Sequence, residues 1–421
     1  MHYRGIVDET FSMVFTIGHY VGARLLHHRD PSDSVAAPII RKLLFVIIFI
    51  IYCFGTALLA FLSLPIPVNG TLTLTLDVYT AYPVIWAAFM LGGFACYVTI
   101  NISTKILLDE SGFTDRCREE AIIAPLTAET LMRWKKGTMY VMATFSGLLL
   151  SQVLVTVLAA TNVVHAPVYI ERIAYWSSMP VWLSWLSVGI VAAMATLHVS
   201  YHCIFFSTLC EITRLHFRTF ADSLAEEKAI TLTERLLDTY HAEYCRIVTM
   251  VHNLDSAFRI STFCQLSLVT IGSCLILFMF TQGEQEWDKT IFVIFTLAAI
   301  LFTFSFTVIP AILLDNQVYR PKALLRAWFL KYERHCNIYE RTIGENSRQA
   351  LALFMQSVNS EDACLTVASL AKLNAQLLLT LASVILTYFL VIIQFDQTTC
   401  ANVPNMNVTQ MCTANGYRLI E

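Results

Sequence analysis

Seven stretches of roughly 20 apolar residues, each without a single Lys, Arg, Asp or Glu, constrain this chain more than anything else in it. They run Leu43–Leu64, Tyr79–Ile102, Thr138–Val164, Pro180–Phe206, Thr262–Thr281, Thr290–Leu313 and Leu377–Phe395. A run of that length crosses a hydrocarbon core of about 30 Å as a helix, because a helix satisfies its own backbone polar groups where there is no water to do so. The charge content agrees. Only 14 % of the residues are charged and 56 % are hydrophobic, against roughly 25 % charged in a soluble domain. The expected fold class is therefore all-α, a seven-transmembrane-helix membrane protein. Spans without Lys, Arg, Asp or Glu argue against a proton-coupled transporter or a voltage sensor, which usually place ionisable groups at membrane depth. Residues 1–40 lack a continuous apolar core and hold Arg4, Arg24 and Arg29, so the first span is expected to act as its own targeting signal. A net charge of -3 gives no sign of a nucleic-acid partner, and twelve cysteines without CxxC spacing argue against a zinc module or a disulfide scaffold.

Basic residues orient the spans. The N-terminal segment and the three alternate connections that follow hold 25 of the 28 Lys and Arg, and the other connections and the tail hold only Arg172, Lys289 and Arg418. The N-terminus is thus expected in the cytosol and the C-terminus outside, opposite to a G-protein-coupled receptor. The expected organisation is a cytosolic N-terminal segment (1–42), a seven-span unit (43–394) whose last helix is 377–395, and an extracellular tail (395–421). Cytosolic helical extensions are expected at about 210–260 and 315–375. Leu236, Tyr240, Tyr244, Ile247, Val251, Leu254 and Phe258 recur at spacings of three and four, one face of an amphipathic helix. Leu351, Phe354, Met355, Val358 and Leu365 repeat the pattern, which reads as helical from Glu340 to Ala375. Neither face is strongly basic on its polar side, so an assembly domain is favoured over a helix lying on lipid.

The last span carries a polar stripe. On a helix advancing about 100° per residue, Ser383, Thr387 and Gln394 fall within about 40° of each other. Such a stripe faces protein or water. It serves either as glue between helices, with Ser and Thr hydroxyls bonding their own backbone, or as the lining of a pore. In a pore, a ring of Gln394 amides would meet water and an adjacent ring of Phe395 would close the path by dewetting.

Other features have two readings each. His198 and His202 are four apart on the fourth span, a metal-ligand spacing, yet no acid or third histidine lies at matching depth. Cys400 and Cys412 lie in the tail assigned to the outside, where disulfides persist, and either bridge or stay free. Of three N-x-S/T sequons, Asn407 and Asn69 fall outside and are expected to carry glycan, whereas Asn101 falls at the cytosolic end of the second span and is not. The acidic loop Gly283–Asp288 either concentrates cations or is simply solvated.

Thr387-Tyr388, five residues, then Gln394-Phe395 resembles the TY-x5-QF signature of insect gustatory receptors. Leu373-Asn374 followed by Leu377-Leu378 resembles that family's approach to its last helix. Tyr240 to Tyr244 and Asn253 to Phe258 are similar to its cytosolic segment before the fifth span. A departure is Ser369, where many members have glycine, which bears on the local helix geometry. The resemblance implies a ligand-gated, non-selective cation channel in the plasma membrane of a sensory neuron. It implies a homo- or heterotetramer with related subunits, and no cofactor. One last helix per subunit would line the pore, Phe395 as the closed gate, Gln394 exposed to ions, and Thr387 and Tyr388 nearer to packing positions.

It also implies a small-molecule pocket among the outer halves of spans two to six, where Tyr82, Trp86, Thr156, Asn162, Trp182, Trp185, Phe278 and Phe295 stand. Trp and Tyr also mark membrane interfaces routinely. The set is rich in aromatics and poor in hydroxyls, and Phe389 follows Tyr388 where sugar-sensing members often have Glu. Both points favour an amphipathic or bitter-type tastant. A metal-dependent seven-span membrane hydrolase and a non-channel metabotropic receptor are the alternatives.

Overall fold

Each apolar run becomes the core of a helix, and most of these helices overshoot the run. The computed structural model describes residues 2–20, 37–62, 78–107, 113–118, 126–160, 180–226, 233–282, 287–339, 345–360 and 363–401. In chain order the helices are α1 (His2–Tyr20), α2 (Ala37–Leu62), α3 (Val78–Lys105), α4 (Phe113–Arg118), α5 (Ala128–Ala160), α6 (Val181–Glu226), α7 (Glu234–Gln282), α8 (Trp287–Tyr339), α9 (Glu345–Ser360) and α10 (Ala375–Ala401). A two-stranded antiparallel ribbon, β1 (Thr366–Val367) and β2 (Ala371–Lys372), precedes α10. The seven spans are α2, α3, α5, α6, α7, α8 and α10. At 46, 49 and 53 residues, α6, α7 and α8 are each roughly 70–80 Å long, more than twice the ~30 Å the hydrocarbon requires. The excess lies at their Arg-rich ends and builds the cytosolic bundle.

α6 is the central post, packed against α3, α5, α7 and α8. Gly93 allows α3 to come close to it: a Cβ there would stand 2.8 Å from the Ala195 Cα. Small residues at a helix crossing permit such an approach within a membrane. In the cytosolic half the expected face of α7 is buried. Tyr240, Tyr244, Ile247, Val251, Leu254 and Phe258 are all within the core, and Leu351, Phe354 and Val358 of α9 close over them. Phe217 and Phe220 of α6 and Trp328 of α8 complete a cluster of edge-to-face rings, with Tyr240 and Trp328 perpendicular at 5.9 Å. Each such side chain contributes about 1.5–3 kcal/mol on burial, so this half carries much of the stability.

Two elements depart from the sequence reading. The N-terminal segment holds a helix, α1, whose Ile6, Val7, Phe11 and Val14 are buried against α5 and α4. Lys135 of α5 pairs with Glu9 on its rim. The helical pattern read from Glu340 to Ala375 stops at Ser360, and the ribbon replaces it before α10 begins. Ser369 is consequently not helical.

Candidate functional site: the last helix and a buried polar network

The ribbon sets where α10 starts. Asp255 of α7 accepts two hydrogen bonds from Thr366, at 2.5 Å from the backbone N–H and 2.8 Å from the hydroxyl. The Ala368 N–H donates to the Arg259 carbonyl at 3.1 Å, so the turn of the ribbon is tied to the same helix. Leu370 N–H closes the turn on the Val367 carbonyl at 2.9 Å. Both central residues are left-handed, Ala368 at φ 51° and Ser369 at φ 61°, the type I′ arrangement that strongly favours Asn-Gly. Leu373 then returns to the core, its N–H donating to Leu365 O at 2.8 Å. Asn374 caps α10, its Oδ1 accepting from the Leu377 N–H at 3.0 Å.

A left-handed non-glycine residue costs roughly 1–2 kcal/mol. Placing Asn at Ala368 and Gly at Ser369 together is therefore expected to raise the thermal midpoint of the purified protein by a few degrees. Val at Ser369 is expected to lower it. A midpoint insensitive to both changes would show that the turn contributes nothing to stability.

α10 stands apart from the other spans. Its principal neighbour is α7, and Leu379, Val384, Leu386, Leu390 and Val391 are 40–68 % exposed. Ser383, Thr387 and Gln394 are all exposed as well. The Ser383 hydroxyl donates to Leu379 O at 2.8 Å and the Thr387 hydroxyl to Ser383 O at 2.7 Å. Those two side chains bond to their own helix, as Ser and Thr do when they face apolar surroundings. Phe395 lies on α10 with its side chain outside the described ones, and the helix continues through Cys400 to Ala401.

The candidate ligand residues are only partly described. Trp182 is 54 % exposed at the start of α6, and Phe278 is half-buried near the end of α7. Tyr82, Trp86, Thr156, Trp185 and Phe295 lie on described helices with side chains outside the described set. Asn162, Asn69, Asn407 and Cys412 lie outside the described residues, as does the loop 283–286. Asn101 is buried on α3 and donates to Tyr97 O at 2.9 Å, so its amide is turned into protein.

A polar network that sequence reasoning missed joins four spans, and a separate hydrogen bond beside it reaches a fifth. His202 of α6 is buried, its Nδ1 2.8 Å from Gln265 Nε2 of α7 and its Nε2 2.8 Å from Ser261 Oγ. An amide nitrogen only donates, so Nδ1 accepts and Nε2 carries the proton. Ser261 in turn donates to Phe258 O. The second Gln265 N–H reaches Cys96 Sγ of α3 at 3.4 Å, and Gln265 Oε1 accepts from Thr307 of α8 at 2.7 Å. One turn away on α6, His198 Nδ1 lies 2.7 Å from the Tyr52 hydroxyl of α2. One amide thus ties α3, α6, α7 and α8 at the cytosolic half of the membrane. Gln265 is the one amide side chain in the fifth apolar run, which is the signal that was there to read.

This arrangement also bears on the histidine pair. His198 and His202 turn to Tyr52 and Gln265 rather than to a common point, and no group of three His, Cys, Asp or Glu able to hold a metal occurs among the described residues. Each is engaged by a hydrogen bond to a neighbouring span.

The profile of the 7tm chemosensory receptor family matches residues 127–399, from the lead into α5 to the end of α10. That is well over half of the sequence, and it includes the ribbon, the Asn374 cap and most of the polar network. The chain belongs to the 7tm chemosensory receptor family. The fold of this chemosensory receptor is also that of the insect olfactory receptor OR5 from Machilis hrabei in complex with eugenol. The TM-score is 0.69 at 12 % identity, over 92 % of this chain and 99 % of that one. Another structure of the same olfactory receptor gives 0.64 at 14 % identity with the same coverage. At such identities the likeness is one of fold. No curated protein sequence matches the chain.

Proposed function

We propose that this chemosensory receptor is a ligand-gated, non-selective cation channel of gustatory type, opened by a small amphipathic tastant. It acts in the plasma membrane as a homo- or heterotetramer with related subunits. The observation that carries this reading is the isolation of α10. A helix seated on α7 with apolar and polar flanks both exposed has surface left to give to copies of itself. Four such helices around an axis would bury the Leu and Val flanks against neighbouring subunits. The face holding Gln394 would then turn to the water-filled centre, with Phe395 as the gate.

Tyr82, Trp86, Thr156, Asn162, Trp182, Trp185, Phe278 and Phe295 remain the proposed ligand contacts, in the outer halves of the spans. The disulfide Cys400–Cys412 and glycans at Asn407 and Asn69 remain proposals for the tail and the first outer connection.

Whole-cell recording from cells expressing the full chain tests the reading, with a panel of bitter compounds and sugars and no added G protein. The expected result is a current that rises within milliseconds of ligand and reverses near zero in mixed Na⁺ and K⁺. A response that needs a G protein would support the metabotropic alternative.

A further inference from the structure

At the cytosolic edge of the bilayer the packing of α5, α6 and α8 opens. Phe145 of α5 meets Phe302 and Phe306 of α8 with ring centroids 5.7 and 5.1 Å apart. Beside that contact, residues of α5, α6 and α8 line a cavity of about 660 Å³. Its depth is fixed by the sequence. The cavity is lined where the third apolar run begins at Thr138, just past the end of the fourth at Phe206, and where the sixth ends at Leu313.

The two sides of the cavity differ in chemistry. One is apolar, made by Val141, Phe306, Ile309 and Leu313. Ile309 is 52 % exposed and Leu313 40 %, so this side is open to hydrocarbon. Pro310 lies between them and withholds the N–H that would bond the Phe306 carbonyl. The other side is charged, with Arg133, Arg214 and Arg218 against Glu211 and Asp222.

The three arginines are not equally committed. Arg214 holds both oxygens of Glu211, at 2.7 and 2.5 Å. Asp222 is held by Arg320 at 2.6 Å, while Arg218 stands 3.9 Å from it. Arg133 pairs with Glu129 on open surface, both side chains about three-quarters exposed, and such pairs are worth only about 0–1 kcal/mol. Arg133 and Arg218 are thus the guanidinium groups most easily recruited. Guanidinium is the side chain whose fork matches a phosphate.

We propose that this cavity holds the headgroup of an inner-leaflet phospholipid, its phosphate between Arg133 and Arg218 and its acyl chains leaving past Ile309 and Leu313. A soluble phosphate ester has no use for the apolar side, and a neutral lipid has none for the arginines. The volume is that of a small-molecule site. Basic pockets between spans on the cytosolic side are where lipid headgroups bind. A bound lipid would bridge α5, α6 and α8, one level closer to the cytosol than the polar network. The proposal does not depend on α10 lining a pore.

Native mass spectrometry of the purified full-length receptor in detergent, titrated with phosphatidylglycerol, phosphatidylcholine, diacylglycerol or inorganic phosphate, tests it. The expected result is saturable binding of one phospholipid per chain, none of diacylglycerol, and no competition by millimolar phosphate. R133A/R218A is expected to weaken phospholipid binding about tenfold, while R235A, an exposed arginine at the start of α7, leaves it unchanged. I309W, which fills the apolar side without touching charge, should block binding as well. Equal phospholipid binding by the wild type, R133A/R218A and I309W would overturn the proposal. So would diacylglycerol binding as tightly as phospholipid, or phosphate displacing it.

Discussion

A receptor carrying Gln265→Leu is expected to reach the cell surface several-fold less than the wild type, and its purified remainder to melt at a lower temperature. Leucine matches glutamine closely in size, so the change is one of hydrogen bonding rather than packing. It removes the donors to His202 Nδ1 and Cys96 Sγ and the acceptor for Thr307. Hydrogen bonds between spans are worth about 0.6 kcal/mol each on average and up to about 1.7. A buried acceptor left without a donor costs about 1–3 kcal/mol more. The total of about 3–5 kcal/mol is a large share of a typical stability of about 5–15 kcal/mol.

The diagnostic comparison is the double variant with His202→Phe. Once both partners are apolar no orphaned nitrogen remains, so the pair should melt above Gln265→Leu alone. Ile271→Ala, at a half-exposed position on the same helix, serves as the control for loss of apolar volume. If Gln265→Leu melts at the wild-type temperature, the network does not fasten these spans.

What could be read in the sequence was what rests on long, regular patterns. Seven uncharged apolar runs and a 25-to-3 division of Lys and Arg need no tertiary knowledge. The α7 face from Tyr240 to Phe258 was legible because every third or fourth residue repeats it over several turns. The ribbon was not legible, because its turn residues are Ala368 and Ser369 and not the Asn-Gly that such a turn normally displays. Its left-handed backbone is held by α7, through Asp255 and the Arg259 carbonyl, more than a hundred residues away. Leu365 prolonged the helical rhythm of α9 and concealed the break. α1 was missed because its apolar residues come in adjacent pairs, Ile6-Val7 and Val14-Phe15, within a charged and uncapped segment. The histidine pair was noticed for the wrong reason. A search for acidic or imidazole partners passes over an amide, and in a membrane interior an amide is the cheaper partner because it carries no charge to desolvate. The exposed flanks of α10 could not be read from its own sequence, since whether they meet lipid, water or another subunit is a matter of assembly and not of the helix itself.

If the receptor is the proposed channel, Gln394→Glu and Gln394→Leu should move its permeation properties in opposite directions. Ser383 and Thr387 spend their hydroxyl protons on their own backbone, so both can lie against a neighbouring helix at little cost. An exposed amide at the outer end of α10 carries four hydrogen-bonding positions and is best placed against water or ions. In a tetramer, glutamate there would put four carboxylates around one axis. A carboxylate at about 7 Å attracts a monovalent cation by about 0.6 kcal/mol even at the dielectric of water. Four together exceed 2 kcal/mol, tens-fold in local cation concentration before salt screens it. Under bi-ionic conditions Gln394→Glu is therefore expected to raise Ca²⁺ permeability relative to Na⁺ and to increase inward current at low ionic strength. Leucine at the same position removes the polar surface and would lengthen the apolar constriction proposed at Phe395, so single-channel conductance should fall several-fold. Val391→Leu, three residues earlier on an exposed flank of α10, should leave both properties unchanged. Glutamate and leucine variants that open normally with the wild-type conductance and reversal potential would place Gln394 outside the ion path.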